Sequence, residues 1–398
     1  MPITPLFNSV RSGLLYTCGY LFYPPTFYTP MRNTVSRMPF VDAMKAFACL
    51  LIVSHHLAFY GPMSDAAYPL MPGLIDWLYA NGRIAVQVFF VISGFLLAAK
   101  FAPAGTAIVS DPVRDIKRRY MRLAVPYFAA LALCIAAAAV ARTWMEHDSI
   151  PAAPELLQLL SHVLLLQGLL GQDSLSAGVW YVAIDFQLFA CAVFLLWGAT
   201  RLESRFPALT MAGPVLIALL TVASLFLFNR DDRWSETAFY FFGAFGLGAL
   251  SFWAAMRPRG MEWLALLGSL VLIALLLDFR SRIAVAGVVM LLLGVGQRYG
   301  VLVRLPMPEW TTNLGRISYS VFLVHFPICL IINMVFFQVF PQYPLMNAFG
   351  MMLALVLSVM TGKVFFNWIE DRSFASKMHI MLPAGFAASA LLVALGSR

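Results

Sequence analysis

Lys45 and His56 stand eleven residues apart in KAFACLLIVSHHLAFYG, residues 45–61, an apolar run with a cation at its front and two histidines near its back. On a helix, positions eleven apart differ by only about 20° around the axis and lie about 16 Å apart along it. The spacing puts Lys45 and His56 on one face, with Asp42, Cys49 and Ile52 near it, and turns His55 about 100° away. Imidazole titrates near neutrality, so a histidine held on such a face has the chemistry of a general base. Each residue also has a plainer reading: the lysine as a snorkelling cation at a helix end, the histidines as a polar end of an apolar helix.

Four further places carry chemistry. In RIAVQVFFVISGFLLAAK, the pair Ser93-Gly94 sits in the middle of an apolar run. Small residues suit close helix packing; alternatively Gly94 lines a tunnel for a thin ligand and Ser93 offers a hydroxyl. DIKRRYMRLAVP, residues 115–126, brings Lys117, Arg118, Arg119 and Arg122 to the entry of another run. It reads as an anchor on anionic lipid or as a phosphate cradle, because guanidinium matches phosphate oxygens bidentately. Asp185, in GVWYVAIDFQLF, is a carboxylate two turns inside an apolar run. It needs a partner, and a cation or a histidine whose tautomer it fixes is expected. His325, in LGRISYSVFLVHFPI, lies near mid-run with Ser318 and Tyr319 about two turns earlier. It reads as hydrogen-bonded structure or as a second candidate base or acceptor contact. By depth, His56, Ser93, Asp185 and His325 are expected to face one cavity.

The elements that must position these residues are membrane helices. The 398-residue chain is 61% hydrophobic and 12% charged, against about a quarter charged for a soluble domain, and its mean hydropathy is +0.81. A span needs about 20 mainly apolar residues. Such stretches fall near 40–60, 84–101, 120–141, 178–199, 208–228, 237–256, 262–278, 283–297, 313–338, 345–367 and 380–396. The run 155–171 is shorter, is broken by Gly168 and Gly171, and is expected to be re-entrant, interfacial or a half-helix. With the N-terminus in the cytoplasm, roughly 18 cations fall in inner segments and 7 in outer ones, as the positive-inside rule requires. The expectation is an all-α polytopic bundle of about 10–11 spanning helices with a cytoplasmic N-terminus.

The net charge of +8 is thereby explained by topology, and nucleic-acid binding is not expected. The five scattered cysteines show no CxxC pair, and no metal pattern is present. GAFGLG, residues 243–248, follows no strand and reads as helix packing rather than a nucleotide loop. The first 39 residues hold no clean cleavage site, so the first span is expected to act as its own insertion signal.

Taken in order, these elements resemble the acyltransferase 3 family of bacterial membrane acyltransferases. The matches are the cation and histidine at Lys45 and His56, FFVISGF from Phe89 to Phe95, the basic entry ending in Pro126, Trp180 followed by Asp185, LGRISYSVFLVH from Leu314 to His325, and Glu370 within FFNWIEDR. Lys45 stands where the family usually has arginine, and Asp185 where it often has glutamate. The resemblance implies residues 1–39 as a cytoplasmic segment, 40–372 as the acyltransferase domain, and 373–398 as a C-terminal segment with an extra transmembrane helix possible.

It also implies transfer of an acyl group, commonly acetyl, from cytoplasmic acyl-coenzyme A to a hydroxyl on a carbohydrate or lipid-linked glycan of the cell envelope. The setting is a bacterial inner membrane, among membrane lipids, with no permanently bound cofactor. On that basis His56 is expected as the base, with Lys45, Asp185 and His325 in the catalytic set. Ser93, Gly94, Arg118, Arg119, Arg122, Tyr319 and Glu370 are expected to contact substrates. The rival class is a secondary transporter of a small polar solute, which buried charges and broken helices also suit; no inverted repeat is visible.

Overall fold

A computed structural model describes residues 37–372 and 385–386. Among them, ten helical stretches are long and apolar enough to cross a membrane, and no strand occurs. The chain is a polytopic helical bundle. A helix pairs its backbone polar groups within itself, which hydrocarbon demands.

The helices are α1 (Pro39–Phe59), α2 (Pro62–Ala67), α3 (Pro72–Asn81), α4 (Ala85–Phe101), α5 (Pro112–Trp144), α6 (Leu156–Leu164), α7 (Val179–Arg205), α8 (Ala212–Phe226), α9 (Ala238–Met256), α10 (Gly260–Leu277), α11 (Ser281–Arg298), α12 (Val301–Arg304), α13 (Glu309–Val339) and α14 (Pro344–Phe365). The first ten expected spans are met. The eleventh, near 380–396, falls almost wholly outside the described residues, as does most of the expected segment 1–39. The stretch 155–171 yields only the short α6, which stops at Leu165 in a left-handed conformation, φ 56°.

α5 begins two turns earlier than its apolar run. Asp111 caps it by accepting from the Arg114 N–H at 3.0 Å, and Pro112 occupies the first turn, the position that suits proline. The basic residues 114–122 are therefore helical and regularly presented. Asp115, Arg118, Arg119 and Arg122, at i, i+3, i+4 and i+7, share one face.

α1 and α13 run parallel. Cys49 with Ser318, His56 with His325 and Tyr60 with Cys329 are contacts that share a sequence separation of 269. A constant difference is the signature of parallel helices in register; an antiparallel pair would hold the sum constant instead. At the far end Asn333 Oδ1 accepts from the Met63 N–H at 3.0 Å and pins the exit of α1.

α9 is the centre of the other half, with 83% of its apolar window buried, and α10 lies outside it with 22% buried. The packing of α4 on α9 disposes of the tunnel expected at Gly94. A Cβ on Gly94 would strike the Phe245 carbonyl, and one on Gly248 would strike the Val91 carbonyl. The two glycines let backbone meet backbone, so Gly94 is closed off and lines no passage. Its neighbour Ser93, about 100° round the helix, points instead to Asp185 on α7. GAFGLG is helix packing, as expected.

α6 secures the entry to α7. His162 is fully buried; its Nδ1 donates to the Gln158 carbonyl at 2.7 Å and its Nε2 accepts from the Leu175 N–H at 3.1 Å. Both bonds need the neutral ring, and burial pushes the His162 pKa down to about 4. Just beyond, Gly178 starts α7 at φ +84°, where an added Cβ would meet the rings of Phe322 at 2.7 Å and His56 at 3.3 Å.

Two outcomes are expected. Gly94→Val should separate α4 from α9 and lower the thermal midpoint of the detergent-solubilised protein; an unchanged midpoint would refute the close packing. The depressed His162 pKa gives stability that is present above about 6.5 and lost as pH falls towards 4. Hydrogen exchange at the Leu175 amide, corrected for intrinsic rate, should accelerate across that window in the wild type; flat protection would contradict it.

Candidate functional site

The best-defined polar group in the bundle core is the pair His56 and His325. His325 Nδ1 lies 2.6 Å from the Phe322 carbonyl oxygen, and its Nε2 lies 2.7 Å from His56 Nδ1. A carbonyl only accepts, so His325 carries its proton on Nδ1. A neutral imidazole has one donor and one acceptor, so His325 Nε2 accepts from His56 Nδ1–H. The remaining lone pair of the relay is on His56 Nε2. That nitrogen has no hydrogen-bond partner among the described residues and is not among the fully sealed polar atoms. The ring planes differ by 10° and the centroids are 4.8 Å apart. With so short an N–N contact, the rings meet edge to edge in nearly one plane, which aligns donor and lone pair.

Local sequence explains the geometry. Pro327 cannot donate to the Leu323 carbonyl, so the α13 ladder is interrupted in the turn where His325 reaches back to Phe322. Gly178 leaves room for the His56 ring. His55 points elsewhere, with Nδ1 donating to the Leu78 carbonyl at 2.8 Å. Periodicity separated the two histidines correctly.

Asp185 is not part of this pair. Its carboxylate accepts from Ser93 Oγ at 2.8 Å and forms an ion pair with Arg119. The expectation that Asp185 fixes a histidine tautomer gives way to the Phe322 carbonyl acting through His325. Arg119 is likewise no free cation, and its Nε is sealed without a partner.

These three residues form the floor of a pocket of about 320 Å³ that opens at the end where α1 begins; Lys100, Arg118 and Arg122 line its mouth and Phe189 and Phe245 its walls. The four residues expected around one cavity thus divide into two groups. Ser93 and Asp185 line the pocket, and His56 and His325 do not.

Lys45 belongs to a third group. Its Nζ pairs with Asp42 at 2.7 Å, three turns from His56. Glu370 is placed by a π-helical turn at the end of α14 and accepts from Ser320 Oγ at 2.5 Å. Lys45 and Arg122 are both in electrostatic reach of its carboxylate. Tyr319 donates to the Leu123 carbonyl at 3.4 Å, between this cluster and Arg119.

A second pocket, of about 670 Å³, opens at the opposite end of the bundle, and Val86, Gln87 and Trp180 form part of its wall. The first pocket reaches Ser93 on α4 and Asp185 on α7; the second stops at Gln87 and Trp180 on the same two helices. Between them lies an aromatic layer. The Tyr181 ring packs on Phe90 at 5.0 Å, Phe322 at 5.4 Å and Phe89 at 5.8 Å, and Phe322 in turn lies 5.9 Å from His325. Arg83 and Arg282, which line the second pocket, carried no signal in the sequence beyond a charge in an outer loop.

The acyltransferase 3 family model, described as an acyltransferase domain, matches residues 38–363. The match starts two residues before the expected domain and ends short of Glu370. No curated protein and no solved structure gives a significant match. With its ten candidate spans and a family match over most of its length, the chain is a multi-pass membrane protein that belongs to the acyltransferase 3 family.

Proposed function

We propose that this acyltransferase moves an acyl group, acetyl in the simplest case, from acyl-coenzyme A to a hydroxyl of a cell-envelope carbohydrate, in the inner membrane of a bacterium. The observation that carries the reading is the relay from the Phe322 carbonyl through His325 to His56, which leaves one basic nitrogen free in the bundle core. Acyl transfer to a hydroxyl asks for such a base.

The donor is a substrate, and no permanently bound cofactor is invoked. Its phosphates suit Lys100, Arg118 and Arg122 at the mouth of the first pocket. Its slim thioester arm passes Ser93 and reaches the histidines by displacing the Tyr181 and Phe322 rings. Arg119 and Asp185, bound to each other, act as the wall that guides it.

At the histidines, His56 Nε2 takes the proton of the acceptor hydroxyl. The hydroxyl oxygen forms a bond to the thioester carbonyl carbon, the C–S bond breaks, and the proton passes to the departing sulfur. The products are the ester and free coenzyme A thiol. While His56 holds the extra proton, its Nδ1–H remains bonded to His325 Nε2, so His325 is a positioning residue. It fills the place that a carboxylate takes in a serine-protease triad.

Removing the base should be severe. His56→Ala is expected to lower kcat by roughly 100- to 10,000-fold in a thiol-release assay with acetyl-coenzyme A and an envelope-glycan acceptor, while His55→Ala stays within a few-fold of wild type. Near-normal turnover by His56→Ala, or equal losses in both, would end the assignment. His325→Gln keeps an acceptor for His56 Nδ1–H and should retain more activity than His325→Ala.

The donor site has its own signature. Arg118→Ala and Arg122→Ala should raise KM for acetyl-coenzyme A, with the difference shrinking at high salt. Arg119→Ala should instead reduce folded yield, because it leaves Asp185 buried without its counter-ion. A pure KM effect from Arg119→Ala would show that it is a donor contact.

A further inference from the structure

The acyl-transfer steps use none of the cations that line the far-end pocket. We infer that this pocket is the acceptor subsite and that it takes an anionic acceptor, a carbohydrate whose carboxylate or phosphate is clamped by Arg83 and Arg282 while a nearby hydroxyl is presented to His56, given the acyl-transfer function proposed for this chain.

The charged residues lining the pocket are Arg83, Arg280, Arg282 and Asp232, so its balance is positive. The three arginines are not equivalent. Arg280 is 8% exposed and committed to structure: its guanidinium donates to the carbonyls of Leu225, Ala274 and Asp278 and to Asn229 Oδ1. Arg282 donates from Nη2 to the Asn229 carbonyl at 3.0 Å, lies 4.6 Å from the Tyr240 ring centroid, and has an Nε that is sealed without a partner. Arg83 is exposed into the pocket, with its guanidinium 4.3 Å from the Trp180 ring centroid. No hydrogen bond or ion pair holds Arg83 among the described residues, although the Glu236 carboxylate lies within its electrostatic reach. One turn along α4, Gln87 lines the same pocket at 4% exposure. Its side-chain amide likewise has no hydrogen-bond partner among the described residues.

A guanidinium seated over an indole keeps its edge of N–H donors free in the ring plane. That edge fits two oxygens of a carboxylate or phosphate. A neutral sugar would find one face of Trp180 already covered and the Arg83 donors unanswered. The amide of Gln87 is a suitable further contact for the same group or for a neighbouring hydroxyl.

The pocket also lies near the base, although His56 does not line it. Gly82, next to Arg83, packs against the His55 ring, and Gly178, two residues before Trp180, packs against the Phe322 and His56 rings. Arg83 lies within electrostatic reach of His56. An acceptor anchored by its charge on Arg83 therefore lies on the near side of the Phe322 ring, and movement of that ring would bring a hydroxyl to the one free nitrogen of the histidine relay.

The test is calorimetric binding of methyl glucuronide, glucose-6-phosphate and neutral methyl glucoside to the full chain in nanodiscs. At least one charged sugar should bind roughly tenfold or more tighter than the neutral one, and which one does identifies carboxylate or phosphate as the recognised group. High salt should narrow the gap. Arg83→Gln and Arg282→Gln should each shrink it, and Arg83→Lys should keep part of it. Unchanged acetyl-coenzyme A binding in the variants reports that they fold.

Equal or tighter binding of the neutral sugar, no binding of either charged sugar, or a preference that survives Arg83→Gln overturns the clamp. Thiol release from acetyl-coenzyme A with an envelope-glycan extract reads the acyl-transfer function separately. Intact turnover with a failed clamp overturns the pocket assignment alone, and charged-sugar binding without turnover overturns the acceptor role.

Discussion

The parallel docking of α1 on α13 is the contact on which the polar core depends. Two helices 269 residues apart in sequence keep a common register over three successive contacts, and the middle one is the hydrogen bond between His56 and His325. A slip of one residue would rotate either imidazole by about 100° and break the relay. The register is held at the far end by Asn333, which answers the backbone where α1 exits. The pair joins the last turn of α1 to the middle of α13 with both rings buried, and this gives two flexible side chains a single arrangement.

Around that axis aromatic rings separate two pockets that are partly lined by polar residues. Their polar linings differ in kind. At the end where α1 begins, the cations come from consecutive turns of one helix and from Lys100, and the deeper charge is cancelled within the protein by the Arg119–Asp185 pair. At the other end the cations come from different helices and are answered by aromatic faces as much as by acids. A phosphate-rich donor suits the first. The histidines lie behind Phe322, within reach of both sides through movement of a ring or two.

The sequence made much of this legible. Runs of about 20 apolar residues located the ten spans that the described residues contain, because in a bilayer length and hydropathy leave few alternatives. Helical periodicity alone separated His56 from His55. The shared face of Arg118, Arg119 and Arg122 was available from the same period. The ion pair of Arg119 with Asp185 was not, since it joins residues 66 apart through tertiary packing. Gly94 had two readings with identical composition, and only the position of the Phe245 carbonyl chooses between them. The short helices α2 and α3 were missed because Pro62 and Pro72 punctuate like a loop, although proline is well placed in a first helical turn. Arg83 was hidden for a different reason: a lone outer arginine is indistinguishable from any topological charge until its indole neighbour is seen.

The aromatic layer of Phe89, Phe90, Tyr181 and Phe322 has a consequence for the cell as well as for the substrates. A membrane protein with a watery recess at each end is one partition short of a pore. Titratable groups stand on both sides of that partition, so a continuous file of water through it would carry protons down the transmembrane potential. The rings act as an electrical seal. If the donor is the acyl-coenzyme A proposed above, any movement that admits its thioester arm has to fill the opening with the arm itself, which would make a close-fitting acyl carrier part of the insulation.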